Sequence, residues 1–279
     1  DTTPLQHIIH DSRNIQSLTN NIIWNIFADQ EHNIWLGTDY GISLSRYNSA
    51  LQFIPISQIT GTGDGNQFYS LFRDSKGFYW FGGANGLIRF TDPAGERHDA
   101  IWYRMGDKTY PLSHNRIRHI YEDKEQQLWI ATDGSINRYD YATRQFIHYN
   151  IVDNTGTYNT NWTYYIFEDT AGQLWISTCL GGIFVVDKRK LMQSTSGQYI
   201  AEQNYSVHNG LSGMFINQII PDNEGNVWVL LYNNKGIDKI NPRTREVTKL
   251  FADELTGEKS PNYLLCDEDG LLWVGFHGG

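Results

Sequence analysis

The sequence predicts an all-β fold, a β-propeller built of four-stranded antiparallel blades. Two observations support this prediction. An Asp followed six residues later by a Trp recurs every 45 to 53 residues along the 279-residue chain, and a period of that length indicates a repeat architecture. Aromatic residues make up 14% of the chain and charged residues only 19%, a balance that favours strands because aromatic side chains pack well on a pleated surface.

The repeat has six copies of the Asp and Trp pair. These are Asp29 and Trp35, Asp74 and Trp80, Asp123 and Trp129, Asp169 and Trp175, Asp222 and Trp228, and Asp267 and Trp273. Gly stands three residues before the Trp in four copies, and His32 and Gln126 replace it in the other two. A catalytic or binding group is not needed once per blade, so we interpret all twelve residues as structural. We expect each Asp to accept backbone N–H groups in a hairpin turn, each Gly to supply a positive φ, and each Trp to fill the core between blades.

Each copy reads as four short strands in a fixed order. In the first copy these are residues 22–29, 34–38, 42–47 and 52–56, and the third copy repeats the order. No segment longer than a turn shows helical spacing of apolar residues. A unit of this size cannot bury both faces by itself, so the copies are expected to pack face to face around an axis.

The sequence predicts a single propeller domain over residues 1–279. The expected blades are approximately 21–57, 67–104, 115–150, 161–207, 214–252 and 262–279. Five of these are complete and the sixth is partial, while residues 5–10 resemble an outer strand. An open propeller exposes unpaired strand edges, so we expect this chain to be a fragment of a longer propeller.

Composition excludes several classes of partner. With 22 Lys and Arg against 31 Asp and Glu, the net charge is -9, which argues against nucleic acid because binding it requires a basic face. The chain has no apolar run long enough to span a bilayer and no leader-like N-terminal segment. No residue pattern indicates a catalytic site, a metal site or a cofactor, so none is predicted.

Candidate ligand-binding residues are those that the repeat does not require. Trp24 and Trp162 stand at the start of innermost strands, where an indole could stack on a sugar ring, and Trp102 is expected to pack in an outer strand. The loops between second and third strands share one face with the loops that enter the next blade, and this face usually binds ligands. The predicted ligand-binding residues are Trp24, Tyr40, Asn85, Arg116, Asp133, Asn161, Trp162, Asn233, Lys235 and His277. The alternative is that the two tryptophans pack between blades and the others are solvated loop residues.

The pattern Asp-x-x-Gly-x-x-Trp-(Ile/Val/Leu)-(Gly/Ser/Ala)-Thr, followed by Gly and a third strand, resembles the two-component regulator propeller repeat. Clear instances run from Asp29 to Thr38, from Asp169 to Thr178 and from Asp267 to Gly275. The linkers at residues 17–21 and 209–212 also resemble the segments that enter each blade in that family. Departures occur at residues 230–235 and in the short connection at residues 132–135.

The resemblance implies a function as well as a fold. In that family the repeats form the periplasmic sensor region of hybrid histidine kinases, where seven-bladed propellers precede a transmembrane helix. The resemblance therefore implies a homodimeric parent protein, further blades and domains in the same chain, and an oligosaccharide or other polar small ligand. It also implies control of glycan-utilisation genes.

Two alternatives of other classes remain open. Streptogramin lyases are propellers with a similar repeat, and polysaccharide lyases use propellers too, but an enzyme needs a unique His or paired carboxylates at the channel mouth. Only His119 and Glu122 lie on a candidate inner strand, and their spacing places them on opposite faces. A propeller that serves only for protein docking or dimerisation would instead present a flat apolar patch.

Overall fold

The computed structural model describes residues 8–14, 16–47, 51–54, 67–92, 99–195, 197–232, 236–250 and 260–277. The sequence predicts one domain, and the structure divides the chain into two compact units, Asp1–Glu122 and Asp123–Gly279. The four-stranded sheets are antiparallel and, apart from one insertion, their strands follow one another in chain order. The all-β blade architecture predicted from the repeat is confirmed.

The first unit contains two four-stranded sheets and a further strand. The strands are β1 (Ile23–Ala28), β2 (Ile34–Thr38), β3 (Gly41–Ser45), β4 (Leu51–Ile54), β5 (Phe68–Arg73), β6 (Tyr79–Gly83), β7 (Gly86–Phe90), β8 (Ile101–Tyr103) and β9 (Ile117–Glu122). Sheet order is β1-β2-β3-β4 and β5-β6-β7-β8. The first strands β1, β5 and β9 lie side by side, so the first strand of each copy is the innermost.

The second unit continues the same pattern. Its strands are β10 (Leu128–Thr132), β11 (Ser135–Asp140), β12 (Gln145–Tyr149), β13 (Ile151–Val152), β14 (Thr163–Glu168), β15 (Gln173–Thr178), β16 (Ile183–Asp187), β17 (Tyr199–Ile200), β18 (Gln203–Tyr205), β19 (Ile216–Pro221), β20 (Val227–Leu231), β21 (Ile237–Asn241), β22 (Glu246–Leu250), β23 (Ser260–Cys266) and β24 (Leu272–His277). Four-stranded sheets form in the orders β14-β15-β16-β18 and β19-β20-β21-β22, and β23 pairs with β24. The predicted strand ends agree with these bounds to within about two residues, the usual uncertainty of such bounds.

The described residues include one short α-helix, in a segment where the sequence shows no helical spacing of apolar residues. Helix α1 spans Lys188–Gln193, with Asp187 as its N-cap accepting from the backbone N–H of Lys190. The helix and strand β17 are inserted between β16 and β18, and β17 pairs in parallel with β13. This insertion accounts for the longest interval in the repeat, which separates Trp175 from Trp228. The sequence did not predict the helix because six residues are too few to show helical periodicity.

The repeat Asp and Trp are bonded to each other within every copy. Asp Oδ2 accepts from the indole Nε1 of the Trp six residues later, at distances from 2.6 to 3.1 Å. Asp Oδ1 accepts backbone N–H groups of the turn, for example those of Lys76 and Phe78 on Asp74. The predicted turn role of Asp is confirmed, and the acceptor for the indole is the same carboxylate.

The turn position three residues before each Trp has a left-handed backbone. Gly77 has a φ of 87°, and the two replacements, His32 and Gln126, have φ values of 62° and 60°. An L residue with a side chain is strained there. The repeat therefore fixes the backbone of this turn in the left-handed conformation, and His32 and Gln126 adopt it at a cost in free energy.

Four of the six repeat Trp side chains are buried in the core, while Trp228 is partly buried and Trp273 is exposed. Trp35, Trp80, Trp129 and Trp175 are at most 2% exposed, whereas Trp273 is 59% exposed. Trp273 lies in the two-stranded sheet β23-β24, where no third described strand covers it. The core role of Trp273 stays a prediction.

Neighbouring inner strands are joined by hydrogen bonds from polar side chains, which the sequence analysis did not predict. Asn25 Oδ1 accepts from the backbone N–H of Leu71, and Ser70 Oγ accepts from that of Ile120. Gln218 bonds both the N–H and the carbonyl of Leu264. Because these groups are buried, the bonds fix the spacing between adjacent blades within each unit.

The predicted N-terminal strand lies mainly outside the described residues. Of residues 5–10, only Ile8, Ile9 and His10 are described, and they are exposed and irregular. His10 Nδ1 lies 2.6 Å from the carbonyl oxygen of Leu18.

Candidate functional site

A β-bulge lies near the start of the first strand in five copies, at the second residue in four of them and at the third in β23. The strand registers skip Trp24, Tyr69, Tyr164, Asn217 and Asn262, each of which lies five residues before the repeat Asp. A bulge releases its residue from the alternation of the strand and re-aims its side chain. The repeat does not dictate the residue at this position, and the chain places aromatic or amide side chains there.

In the first unit, the bulge residues Trp24 and Tyr69 belong to a network that we call the Trp24 cluster, formed by Trp24, Asp39, Gln67, Tyr69 and Arg118. Asp39 Oδ1 accepts from Trp24 Nε1 at 3.1 Å and from Gln67 Nε2 at 2.7 Å. Tyr69 donates to Gln67 Oε1 at 2.8 Å and meets the Trp24 ring edge-on at 5.4 Å. The guanidinium of Arg118 lies 5.9 Å from the centre of the Tyr69 ring.

The Trp24 cluster combines hydrogen-bonding groups with an open aromatic surface. Trp24 is 50% exposed, although its indole N–H is bonded to Asp39. The bond orients the ring while leaving part of its apolar surface in solvent. Trp24 is half-exposed and also packs edge-on against Tyr69 of the neighbouring sheet, so the binding role and the packing alternative both stay predictions.

The other predicted residues of the first unit lie in strand-connecting loops. Tyr40 is exposed in the turn between β2 and β3, and Arg116 is exposed ahead of β9. The carbonyl of Asn85 accepts from Trp102 Nε1 and from Arg104 Nε. Asn85 therefore fixes the outer strand β8, in which Trp102 lies as expected.

In the second unit, three predicted residues converge on one cavity of about 400 Å³, which we call the Trp162 cavity. Its lining consists of Asp133, Thr157, Tyr158, Asn159, Asn161, Trp162, Leu180 and Gly181. The size lies within the range of small-molecule sites. An indole, a phenol, several amides and a carboxylate surround one volume.

Trp162 is held in this cavity by its backbone. Its φ is 55°, its N–H donates to the carbonyl of Asp133 at 3.0 Å, and its carbonyl accepts from the N–H of Cys179 at 2.9 Å. The side chain remains 47% exposed. A left-handed backbone at a bulky residue is costly and is concentrated at functional sites, so this geometry favours a binding role over simple packing.

A second cavity of about 460 Å³ adjoins the inserted segment, and we call it the His208 cavity. It is lined by Asp153, Asn154, Thr155, Thr157, Tyr158, Ala201, Glu202, Gln203, Asn204, Ser206, His208 and Asn209. Sequence reasoning missed this cavity because most of its walls come from connections between copies of the repeat, which match no motif. The only signal was the long interval between Trp175 and Trp228.

A buried charge cluster supports the inserted helix. Lys188 is 1% exposed, and its Nζ lies 2.7 Å from Glu168 Oε1 and 3.0 Å from Asp123 Oδ2. Burial lowers the pKa of Lys188, but hydrogen bonds from its ammonium to Glu168 and Asp123 outweigh that effect and raise the pKa above its ordinary value. The cluster is structural, since both carboxylates are occupied.

Three further predicted residues lie at or beyond the edges of the described segments. Asn233 and Lys235 lie outside the described residues, and His277 ends β24. Within the described part of the chain, no three His, Cys, Asp or Glu side chains come together as a metal site.

The family comparison matches the first three copies of the repeat. The profile described as "Two component regulator propeller" matches residues 17–40, 62–85 and 111–134. Each matched stretch contains one Asp and Trp pair and ends in the turn after its second strand. The chain carries two component regulator propeller repeats.

Solved structures extend this likeness over the whole chain. All of the chain matches, with 98% identity and a TM-score of 0.79, the extracellular domain of BT4673 from B. thetaiotaomicron, described as a one component system. A second structure of that domain, 99% identical with the same TM-score, is described as that of a hybrid two component system. The regulator propeller chain spans 37% of the length of each of these structures.

More distant structures show the fold alone. The extracellular domain of BT3049 from B. thetaiotaomicron is 20% identical with a TM-score of 0.71, over 96% of this chain and 33% of that one. Virginiamycin B lyase from Staphylococcus aureus, solved with quinupristin, is 16% identical with a TM-score of 0.66, over 92% of this chain and 79% of that one. No curated protein matched the regulator propeller chain. None of its described helices has the length and apolar character needed to cross a membrane.

Proposed function

We propose that this chain is part of the periplasmic sensor region of a hybrid two-component histidine kinase and binds an oligosaccharide. Ligand binding would bias a dimeric membrane kinase and so control glycan-utilisation genes. The observation that carries the proposal is the Trp162 cavity, where Trp162, Asp133 and Asn161 line one volume. The likeness to the extracellular domain of BT4673 supports the sensor role.

The lining of the Trp162 cavity suits the chemistry of a sugar. A pyranose has apolar C–H faces and hydroxyl edges, so it pairs with an aromatic face and with amide and carboxylate groups. Trp162 and Tyr158 supply rings, while Asn159, Asn161 and Asp133 supply donors and acceptors. The net charge of -9 disfavours a polyanionic glycan, so a neutral oligosaccharide is the preferred ligand.

The test uses the full extracellular region that contains this chain. Titration calorimetry against a panel of neutral oligosaccharides should find one that binds, and Trp162→Ala should weaken that binding by about tenfold to a hundredfold, which corresponds to roughly 1.4 to 2.8 kcal/mol. Trp24→Ala is the matched control, because Trp24 is exposed to the same degree but lies in the other unit. Unchanged binding by Trp162→Ala would overturn the proposal for this cavity, and loss with Trp24→Ala alone would move the site to the Trp24 cluster.

An enzymatic role is the first competing function. The pair His119 and Glu122 does not form a catalytic dyad, because the Glu122 carboxylate accepts from the N–H and hydroxyl of Ser75. Burial lowers the pKa of His119 to about 3, so this imidazole is neutral at physiological pH. Product formation from any oligosaccharide in the panel would nevertheless favour a lyase over a sensor.

A docking role is favoured by one surface of the first unit. Ile22, Ile26 and Ile34 are between 43% and 65% exposed on and beside β1 and β2. Exposed apolar side chains on neighbouring strands are a feature that interaction surfaces share. If no oligosaccharide binds, this docking interpretation becomes the preferred one.

A further inference from the structure

The His208 cavity is built from two connections between copies of the repeat and from the fourth strand of one blade. One wall is the loop of residues 153–159, and the other comes from β18 and the 3-10 helix Val207–Asn209. The loop is stabilised by Asp153, which accepts from the backbone N–H of Tyr158 and from the hydroxyl of Thr155. The volume of the His208 cavity, about 460 Å³, is large enough for a small-molecule ligand.

The charged groups of this cavity are already paired, which limits the ligand it can take. Glu202 accepts from the Asp187 N–H at 2.9 Å and from the Tyr199 hydroxyl at 2.8 Å, and it forms an ion pair with Lys190. Asp153 is bonded within its own loop. The other lining side chains, apart from that of Ala201, are amides, hydroxyls and one imidazole, and these groups bind neutral hydroxyls better than they bind ions.

The two cavities share a wall. Thr157 and Tyr158 line both of them, and the Tyr158 hydroxyl lies 3.5 Å from His208 Nε2. Asn204, in the His208 cavity, donates through Nδ2 to the carbonyl of Gly181, in the Trp162 cavity, at 2.9 Å. Ligand atoms in one cavity are therefore neighbours of ligand atoms in the other.

The packing of this wall is tight enough to fix the two cavities relative to each other. A Cβ atom at Gly181 would lie 2.7 Å from the carbonyl oxygen of Asn159 and 2.9 Å from the Phe184 ring. The turn between β15 and β16 thus contacts the loop of residues 153–159 with no room for a side chain. Such close packing preorganises both sites and lowers the entropic cost of binding one ligand across them.

We propose that the Trp162 and His208 cavities are adjacent subsites for one linear, neutral oligosaccharide that passes over Tyr158. The inference rests on the proposed function and adds the length of the ligand to it. A short oligosaccharide occupies only the Trp162 cavity, whereas a longer one also places hydroxyls among Asn154, Gln203 and His208. Affinity therefore rises with chain length until both cavities are filled.

The experiment measures affinity against chain length. Neutral oligosaccharides of the linkage that binds best, from disaccharide to hexasaccharide, are titrated into the full extracellular region and into His208→Ala, Asn154→Ala and Trp162→Ala variants. We expect His208→Ala and Asn154→Ala to remove the gain with length, by about fivefold to tenfold on the longest ligands, and to leave the shortest unchanged. Trp162→Ala should weaken every length.

Each outcome decides between the two proposals. If affinity does not change with length, or if both variants of the His208 cavity bind the longest ligand like the unaltered protein, the two-subsite inference is overturned while the Trp162 site stands. If Trp162→Ala has no effect on any length, the proposed function fails for this cavity. If no neutral oligosaccharide binds, both the proposed function and the two-subsite inference are overturned.

A second readout does not depend on loss of function. The imidazole resonances of His208, assigned by their absence in His208→Ala, should shift when the longest oligosaccharide is added and stay in place with the shortest. A shift with the disaccharide alone would contradict the assignment of His208 to the far subsite. Gly181→Ala, which disturbs the shared wall, should weaken long ligands more than short ones.

Discussion

The backbone N–H of Trp162 donates to the carbonyl oxygen of Asp133 across 3.0 Å. This bond joins the residue that enters β14 to the turn between β10 and β11 and holds Trp162 at a φ of 55°. The indole is thereby presented to the cavity instead of to the core. The protein accepts local backbone strain at a side chain whose ring is only half-buried.

Trp162→Gly should therefore separate stability from binding. Gly adopts a positive φ without strain, so the Gly variant should unfold at a higher temperature than Trp162→Ala, by the equivalent of about 1 kcal/mol. Both variants should lose ligand affinity alike. Calorimetric melting of the full extracellular region tests this, and a lower melting temperature for Gly than for Ala would show that the backbone at residue 162 is not strained.

The bond between Trp80 and Asp74 should contribute measurably to folding. Trp80 is fully buried, its Nε1 lies 2.7 Å from Asp74 Oδ2, and Asp74 is 4% exposed. Trp80→Phe removes the indole N–H and with it a buried hydrogen bond to the Asp74 carboxylate, which should cost about 1 to 3 kcal/mol. Trp273→Phe is the matched control, since the same bond there is exposed to solvent. Equal losses in urea unfolding would contradict the argument from burial.

The turn at Gln126 should accept Gly with a gain in stability. Gln126 has a φ of 60° at the position where Gly77 has 87°. Gln126→Gly should raise the free energy of unfolding by about 0.5 to 1 kcal/mol, because relief of left-handed strain exceeds the added entropy of the unfolded chain. Gly77→Ala should lower the free energy of unfolding. No other atom lies within 4 Å of the added Cβ, so the loss would reflect left-handed strain and not a steric clash. A change of the same sign in both variants would refute this account.

Removal of the buried ammonium of Lys188 should be severe. Lys188→Met leaves Glu168 and Asp123 buried without their cation, and breaking such a pair costs about 3 to 5 kcal/mol. Lys190→Met, two residues later on the same helix, alters a side chain that is 65% exposed, and surface changes of this kind stay within about 0.5 kcal/mol.

The Lys188 effect should also depend on pH. The folded pKa is raised above its ordinary value, so the stabilisation is complete below the unfolded pKa and is lost as pH rises through the folded one. Urea unfolding from neutral to strongly alkaline pH should show the advantage of the unaltered protein over Lys188→Met shrinking only at the alkaline end. A difference that instead vanished toward acid would point to the carboxylates.

Sequence reasoning was most successful where structure is local. The repeat Asp in the turn, the left-handed turn residue and the strand alternation each depend on interactions within about ten residues. They could therefore be predicted directly from the repeat of Asp29 and Trp35. The bulges at Trp24 and Tyr69 depend on strand pairing, which no single segment specifies. In the sequence, Lys188 stands between Asp187 and Arg189 like an ordinary surface residue. Only the folded structure shows that its ammonium is buried beside Glu168.

The candidate site was predicted in part. Asp133, Asn161 and Trp162 were selected from three separate loops, and they line one cavity. Tyr158 was not selected, because it lies in a loop between copies of the repeat and matches no motif. The His208 cavity required the parallel pairing of β13 with β17, which brings together segments almost 50 residues apart.

The bulge five residues before each repeat Asp has an evolutionary consequence. Its residue takes part in neither the strand register nor the turn, so it can change without disturbing either one. Every duplication of the repeat therefore copies a position that is free to mutate. A protein of this type can acquire a new specificity through a few substitutions at Trp24, Tyr69, Tyr164 and their counterparts, on a scaffold that needs no further adaptation.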